Sequence, residues 1–250
     1  MPLERQVNLL AGSKKIALFL VEGITDDISL ALVLSRIIEE QRIAKFKLVR
    51  GDISSRDNTN PANIQNKITD EIKGFIKSDI YQKSDISQVV HLVDMDGAYI
   101  PDEQIQWHDK EHYLYTAENI FAKDTEYAKR RNNMKSQVLN KLAGLHTVYA
   151  DLPYSIYFFS CNLEHVLHNQ QNADDKDKMR LAHEAEDLFA DNPQAFIAFM
   201  NDSSFAVEGD YDNTWRFIKQ SVNSLHRHSN FHLFLNSIIS SPEVNLSEEK

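Results

Sequence analysis

The chain of 250 residues has few of the residues that cross-link or interrupt a polypeptide, with 1 cysteine, 6 prolines and 7 glycines. A single cysteine, Cys161, excludes an internal disulfide and a zinc site built from cysteines. No apolar run approaches the roughly 18 residues that a membrane-spanning helix needs. The N-terminal residues are mixed and polar, without the pattern of a secretory signal. These absences lead us to expect a cytoplasmic protein without a membrane partner.

Basic residues are also in deficit. Lys and Arg total 27 against 37 Asp and Glu, which gives a net charge of −10. The excess of acid lies mainly after residue 160, because residues 1–160 carry 20 basic and 22 acidic side chains. This balance disfavours a general nucleic-acid coat protein, which is usually basic. The first part can still present a local basic face, and a bound cation would neutralise several acids.

Short apolar runs alternate with helical patterns along the first 160 residues. Strands are predicted at residues 16–21, 46–49, 89–93 and 155–159. Helical spacing is found at residues 28–38, 64–76 and 134–145, and from residue 176 onward, including 225–235. Since three of the strands end at a nearby glycine, the alternation predicts an α/β fold in which helices cover a parallel sheet.

Four carboxylates come at the ends of the predicted strands. Glu22 follows the first strand, Asp94 and Asp96 follow the third, and Glu164 lies just beyond the fourth. In a parallel sheet these ends share one edge, and Asp94 and Asp96 would share a side if the strand conformation continued. Carboxylates gathered in this way repel one another, and a hard cation such as Mg²⁺ relieves the repulsion. Asp26 either joins this metal site or caps the next helix.

The clearest basic cluster comprises Lys129, Arg130 and Arg131, followed by Lys135 and Lys141. One interpretation is contact with the phosphates of a nucleic acid, and the other is an ordinary solvated helix face. Lys135 has a third candidate role, which is to stabilise a charged transition state as part of the catalytic set.

Two of these motifs resemble a known family. The segments Val21-Glu22-Gly23-Ile24-Thr25-Asp26 and Val93-Asp94-Met95-Asp96-Gly97 resemble the Toprim domain of topoisomerases, bacterial primases and several nucleases. The segment 162–167, with Glu164, resembles a Leu-Glu-x-x-Leu motif of Toprim nucleases of the overcoming-lysogenization-defect (OLD) type. The resemblance implies a Toprim catalytic domain over residues 1–170 with an insertion at 98–128. The helical pattern that follows predicts a helical C-terminal region over 171–250.

The resemblance also implies an activity, namely a Mg²⁺- or Mn²⁺-dependent endonuclease that cleaves phosphodiester bonds of DNA or of RNA such as tRNA. Glu22 would then be a metal ligand or general base, Asp94 and Asp96 metal ligands, and Glu164 a ligand of a second metal.

Related Toprim effectors, including those called DUF4435, imply a toxic antiviral protein of an abortive-infection system, beside an ABC-type ATPase. The chain has no G-x-x-x-x-G-K-[ST] motif, so the ATPase would be a separate partner. A second copy of the same chain, in a homodimer, is a further candidate partner.

Two other interpretations remain open. In a phosphatase of the haloacid dehalogenase type, Asp94 would be the nucleophile and Asp96 a general acid. Alternatively, the chain is a non-catalytic Toprim-like module that binds a partner or nucleic acid, with a vestigial metal site.

Overall fold

A computed structural model describes residues 14–49, 51–79 and 81–240. Its strands are β1 (Lys15–Val21), β2 (Arg42–Leu48), β3 (Ile86–Asp94), β4 (Ile105–Trp107), β5 (Leu114–Tyr115), β6 (Ile120–Ala122), β7 (Thr147–Val148), β8 (Leu152–Ser160) and β9 (His228–Ser229). Its α-helices are α1 (Ile24–Ile38), α2 (Ile64–Ser78), α3 (Thr125–Ala143), α4 (Leu163–His168), α5 (Asp175–Phe189), α6 (Pro193–Met200), α7 (Tyr211–Ile218) and α8 (His232–Ile239).

Within the described ranges the central sheet has six strands, in the order β2–β1–β3–β8–β7, with β9 also paired to β8. The pairs β1–β2, β1–β3 and β3–β8 are parallel, which confirms the predicted α/β class with a mainly parallel sheet. The two-residue strands β7 and β9 pair antiparallel with opposite ends of β8. The helix predicted over residues 225–235 is therefore wrong at His228 and Ser229, whose backbone pairs with β8.

Helices cover both faces of this sheet. The run at 16–21 in β1 is buried throughout, as a strand packed on both faces must be. On one face, Leu18 and Leu20 pack with apolar residues of α2, α3 and α7. On the other face, Phe19 packs with residues of α1, α5, α6 and α8. Helices α5, α6 and α8 thus share a hydrophobic core with α1, and the domain boundary expected at residue 170 stays a prediction.

The segment predicted as an insertion, residues 98–128, contains a separate three-stranded sheet in the order β4–β6–β5. Its buried Ile105 and Ile120 cluster with Cys161 and Leu225 of the main body. The side chain of Asn172 holds β5 from outside, because it accepts from the backbone N–H of Tyr115 and donates to its carbonyl, both at 2.7 Å. These contacts fix the segment beside the carboxyl ends of β3 and β8.

Among the described residues, no helix combines the length and the apolar composition needed to cross a bilayer.

Candidate functional site

Three acidic residues lie together where neighbouring parallel strands end. Glu22 directly follows β1, Asp94 is the last residue of β3, and Glu164 is in the first turn of α4, just after β8. The backbone N–H of Asp94 donates to Oε1 of Glu22 at 3.4 Å, and Oδ1 of Asp94 accepts from the backbone N–H of Leu163 at 3.0 Å. The sheet therefore brings together acids that are far apart in the sequence.

Asp96 reaches the same region by a different backbone path from the one that the sequence suggested. Strand β3 ends at Asp94, and Asp96 has a φ of 47°, in the left-handed region that Asp tolerates better than most residues. The premise that Asp94 and Asp96 share one side of a continuing strand is therefore wrong. Hydrogen bonds fix the bend, since the Asp96 N–H donates to the Cys161 carbonyl at 2.8 Å and its carbonyl accepts from Arg131 at 3.0 Å.

Lys135 lies between Asp96 and another carboxylate that the sequence analysis missed. The Lys135 side chain is 0% exposed, and its Nζ is 2.7 Å from Oδ2 of Asp96 and 2.7 Å from Oδ2 of Asp52. The carboxylate of Asp52 also accepts from the backbone N–H of Ser54 at 2.8 Å. Asp52 follows Gly51 shortly after β2, so the strand-end pattern that selected Glu22 and Asp94 could have found it.

A second lysine approaches the cluster from the C-terminal helices. Nζ of Lys178, in α5, lies 3.8 Å from Oε2 of Glu164, whose side chain is 7% exposed. The carboxylate of Asp26 accepts from the backbone N–H groups of Glu22 and Gly23 at 3.1 and 3.0 Å. Asp26 thus has the capping role that the sequence left open, and its predicted role as a metal ligand is untested.

The electrostatics of the site are those of crowded acids with incomplete compensation. Burial raises the pKa of Glu22 well above its ordinary value, and the charges of Asp52 and Asp94 raise it further, while Lys135 opposes them. Burial, with the charges of Asp26 and Asp96, also raises the pKa of Asp94.

Two other carboxyl groups of the site shift in opposite directions. Burial raises the pKa of Asp26 to about 6. Burial alone would raise the pKa of Asp52 too, but the adjacent Lys135 holds it well below its usual range. The ammonium of Lys135 therefore stabilises the charge of Asp52, whereas burial, with the charges of neighbouring acids, disfavours the charged forms of Glu22, Asp94 and Asp26.

The donor atoms of this cluster match a hard divalent cation, because all of them are carboxylate oxygens. The positions of these atoms do not yet form a full coordination site. In the described ranges no three His, Cys, Asp or Glu side chains form a group that could hold a metal ion. Lys135 already engages one oxygen each of Asp52 and Asp96. Binding of a cation by Asp96 would require its carboxylate to share or exchange that contact.

An open cavity of about 580 Å³ leads to the acids. It is lined by Asp94 and Asp96, by Tyr113 and Tyr115 of the segment 98–128, and by Lys178, among others. Cavities of roughly 300–1,000 Å³ are typical of sites that bind small molecules.

The predicted basic cluster is divided by the structure. Arg130 and Lys141 are exposed, and Nζ of Lys129 pairs with Glu126 at 2.8 Å. The Arg131 guanidinium faces inward, with its Cζ 4.5 Å from the ring centre of Tyr113 and a hydrogen bond to the Asp96 carbonyl. Arg131 thus ties the segment 98–128 to the acid cluster, and nucleic-acid contact by the four basic residues stays a prediction.

Comparisons with family models, with curated proteins and with solved structures find no match for this chain.

Proposed function

We propose that the chain is a metal-dependent phosphodiester hydrolase of the Toprim type that cleaves RNA or DNA. The observation that supports it best is the contact of Glu22 with Asp94, and of Asp94 with the start of α4, at the ends of three adjacent parallel strands. These acids carry raised pKa values through burial and mutual repulsion, which is typical of functional clusters.

In this proposal Glu22, Asp94 and Asp96 hold Mg²⁺ or Mn²⁺, and Asp26 and Glu164 are the ligands of a second ion. When bound, such ions lower the pKa of a coordinated water and stabilise the charge on the leaving oxygen. Lys178 lines the cavity and carries a positive charge toward the place where a phosphate would enter. Tyr113 and Tyr115 offer apolar surface for the rest of a nucleotide.

The test is cleavage of RNA, single-stranded DNA and duplex DNA by the purified chain in Mn²⁺, in Mg²⁺ and in a chelator. Glu22→Gln and Asp94→Asn should each lower cleavage by at least about 100-fold, since even residues that only support metal ligands contribute 10- to 100-fold. The matched control is Asp109→Asn, an exposed acid of the segment 98–128. Equal cleavage by all variants would reject the site, and phosphate bound covalently to Asp94 would instead identify the phosphatase mechanism.

A non-catalytic module is the second candidate, and one observation favours it. Lys135 and Lys178 already neutralise part of the acid cluster, which reduces the electrostatic need for a metal ion. No metal-binding group is arranged among the residues that the structure describes. Unchanged melting temperature in millimolar Mn²⁺ would support this candidate, because a bound ligand raises the melting temperature by mass action.

We further propose that the nuclease is a toxic effector restrained by a separate ABC-type ATPase, which rests on the family resemblance alone. Expression of the chain in cells should then arrest growth, and Glu22→Gln should abolish the arrest. Harmless expression of the chain, both alone and with a candidate ATPase, would contradict this proposal.

A further inference from the structure

Lys135 is enclosed in a way that sets it apart from the other cations of the site. Its side chain is 0% exposed, whereas that of Lys178 is 34% exposed. A group without solvent exposure cannot meet a substrate phosphate unless the surrounding structure moves. The role that the sequence suggested for Lys135, direct stabilisation of a charged transition state, therefore does not follow from its position.

Lys135 contacts two carboxylates, of which only one belongs to a proposed metal ligand. Asp96 belongs to the proposed metal ligands, and its carboxylate is reached by Lys135 at 2.7 Å. Asp52 is 14% exposed, is anchored by the N–H of Ser54, and is reached by Lys135 at the same distance. One ammonium group thus contacts two acids, so neither carboxylate has this counter-ion to itself.

We propose that Lys135 is a positioning residue whose buried ammonium group is shared by Asp52 and Asp96. Because Asp52 also binds this ammonium, Asp96 is held less tightly by it and stays available to a divalent ion. The inference rests on the proposed metal-binding function for Asp96 but assigns roles to two residues that do not touch the substrate. Removing one partner of a buried ion pair strands the other charge, whereas removing both is often nearly neutral. The two single variants and the double variant therefore separate this role from simple packing.

The first arm measures melting temperature in the absence of metal. Lys135→Met should lower it by roughly 10 °C, because Asp52 and Asp96 lose their counter-ion. Adding Asp52→Asn to Lys135→Met should restore at least about half of that loss, since one stranded carboxylate is removed. Lys77→Met, an exposed lysine of α2, is the control and should melt like the wild type. Failure of Asp52→Asn to restore the double variant would overturn the proposal.

The second arm measures Mn²⁺ affinity by calorimetric titration. Asp52→Asn should weaken Mn²⁺ binding, because Lys135 then compensates Asp96 alone, and Lys135→Met should tighten it, by about fivefold in each case. Changes in the same direction would overturn the proposal, as a packing role has no reason to give opposite signs. If the wild type binds no Mn²⁺ but Asp52→Asn restores the melting temperature of Lys135→Met, the sharing of Lys135 is supported and the proposed nuclease function is rejected. If the wild type binds Mn²⁺ but Asp52→Asn does not restore the melting temperature, the proposed sharing of Lys135 is rejected and the proposed nuclease function is not.

Discussion

Oδ1 of Asp94 accepts a hydrogen bond from the backbone N–H of Leu163 at 3.0 Å, although 69 positions separate the two residues in the chain. This bond ties the last residue of β3 to the first residue of α4. Glu164 follows Leu163 and is carried to the acid cluster by the same contact. Asp94 therefore has both a structural role, as an acceptor, and a proposed chemical role, as a charged ligand.

Two substitutions of Asp94 separate these roles. Asp94→Asn keeps an oxygen for the Leu163 N–H but removes the charge, whereas Asp94→Ala removes both. We expect both variants to lose cleavage, and Asp94→Ala to be less stable than Asp94→Asn by about 1–2 kcal/mol, the cost of an unsatisfied buried donor. Urea denaturation of the metal-free variants measures the difference. Equal stability would show that the bond to Leu163 contributes nothing.

The raised pKa of Asp26 gives a defined pH dependence. The pKa of Asp26 rises from 3.8 in the unfolded chain to about 6 in the folded protein. Its contribution to stability is therefore fully present when the pH is below 3.8, and it is lost as the pH rises through about 6. Asp26→Asn keeps an acceptor for the N–H of Gly23 and removes the buried charge. The variant should gain about 1–2 kcal/mol over the wild type between pH 4 and pH 7, allowing for partial exposure. A parallel stability profile for the two proteins would contradict the pKa shift.

Asn172 should control the order of the segment 98–128 near the site. Its side chain bonds both backbone groups of Tyr115, in the manner of a neighbouring strand. Asp in its place would keep the acceptor for the Tyr115 N–H but oppose an oxygen to the Tyr115 carbonyl. Asn172→Asp should therefore speed amide hydrogen exchange around Tyr115 by about fivefold, equivalent to the roughly 1 kcal/mol that an ordinary hydrogen bond contributes. Exchange in α2, remote from this contact, serves as the internal control.

The basic residues of α3 should divide into two groups. Arg131→Lys should destabilise the protein by about 1–3 kcal/mol, since a lysine cannot reproduce the stacked and hydrogen-bonded guanidinium. Arg130→Gln should leave stability unchanged but reduce the salt dependence of nucleic-acid binding, as the loss of a phosphate contact does. Binding measured between low and high salt distinguishes the two effects. Wild-type salt dependence in Arg130→Gln would remove Arg130 from the proposed interface.

The sequence predicts much of this architecture because the central strands are short apolar runs bounded by glycine or acidic residues. Glu22 and Asp94 stand at those boundaries, so their convergence follows from a parallel sheet alone. The two-residue strands β7 and β9 carry no such pattern. They exist because the edge of β8 offers unpaired backbone groups, which only the folded chain reveals.

The parts of the site that the sequence did not predict depend on tertiary packing. Asp52 lies a few residues beyond β2, in a polar segment that resembles an ordinary loop. Lys178 comes from a helix whose orientation is set by its packing on α1, and no local signal points it toward Glu164. Arg131 and Lys135 are one helical turn apart and look alike in sequence, yet one supports the segment 98–128 and the other is enclosed among acids.

Calorimetric titration of Mn²⁺ into the metal-free protein measures whether the acids at the sheet edge bind a divalent cation. We expect saturable binding by the wild type, loss of that binding in Glu22→Gln and Asp94→Asn, and retention in Asp109→Asn, with all three variants folded. Absence of binding in the wild type, or equal binding by Glu22→Gln and Asp94→Asn, would contradict the proposed metal site.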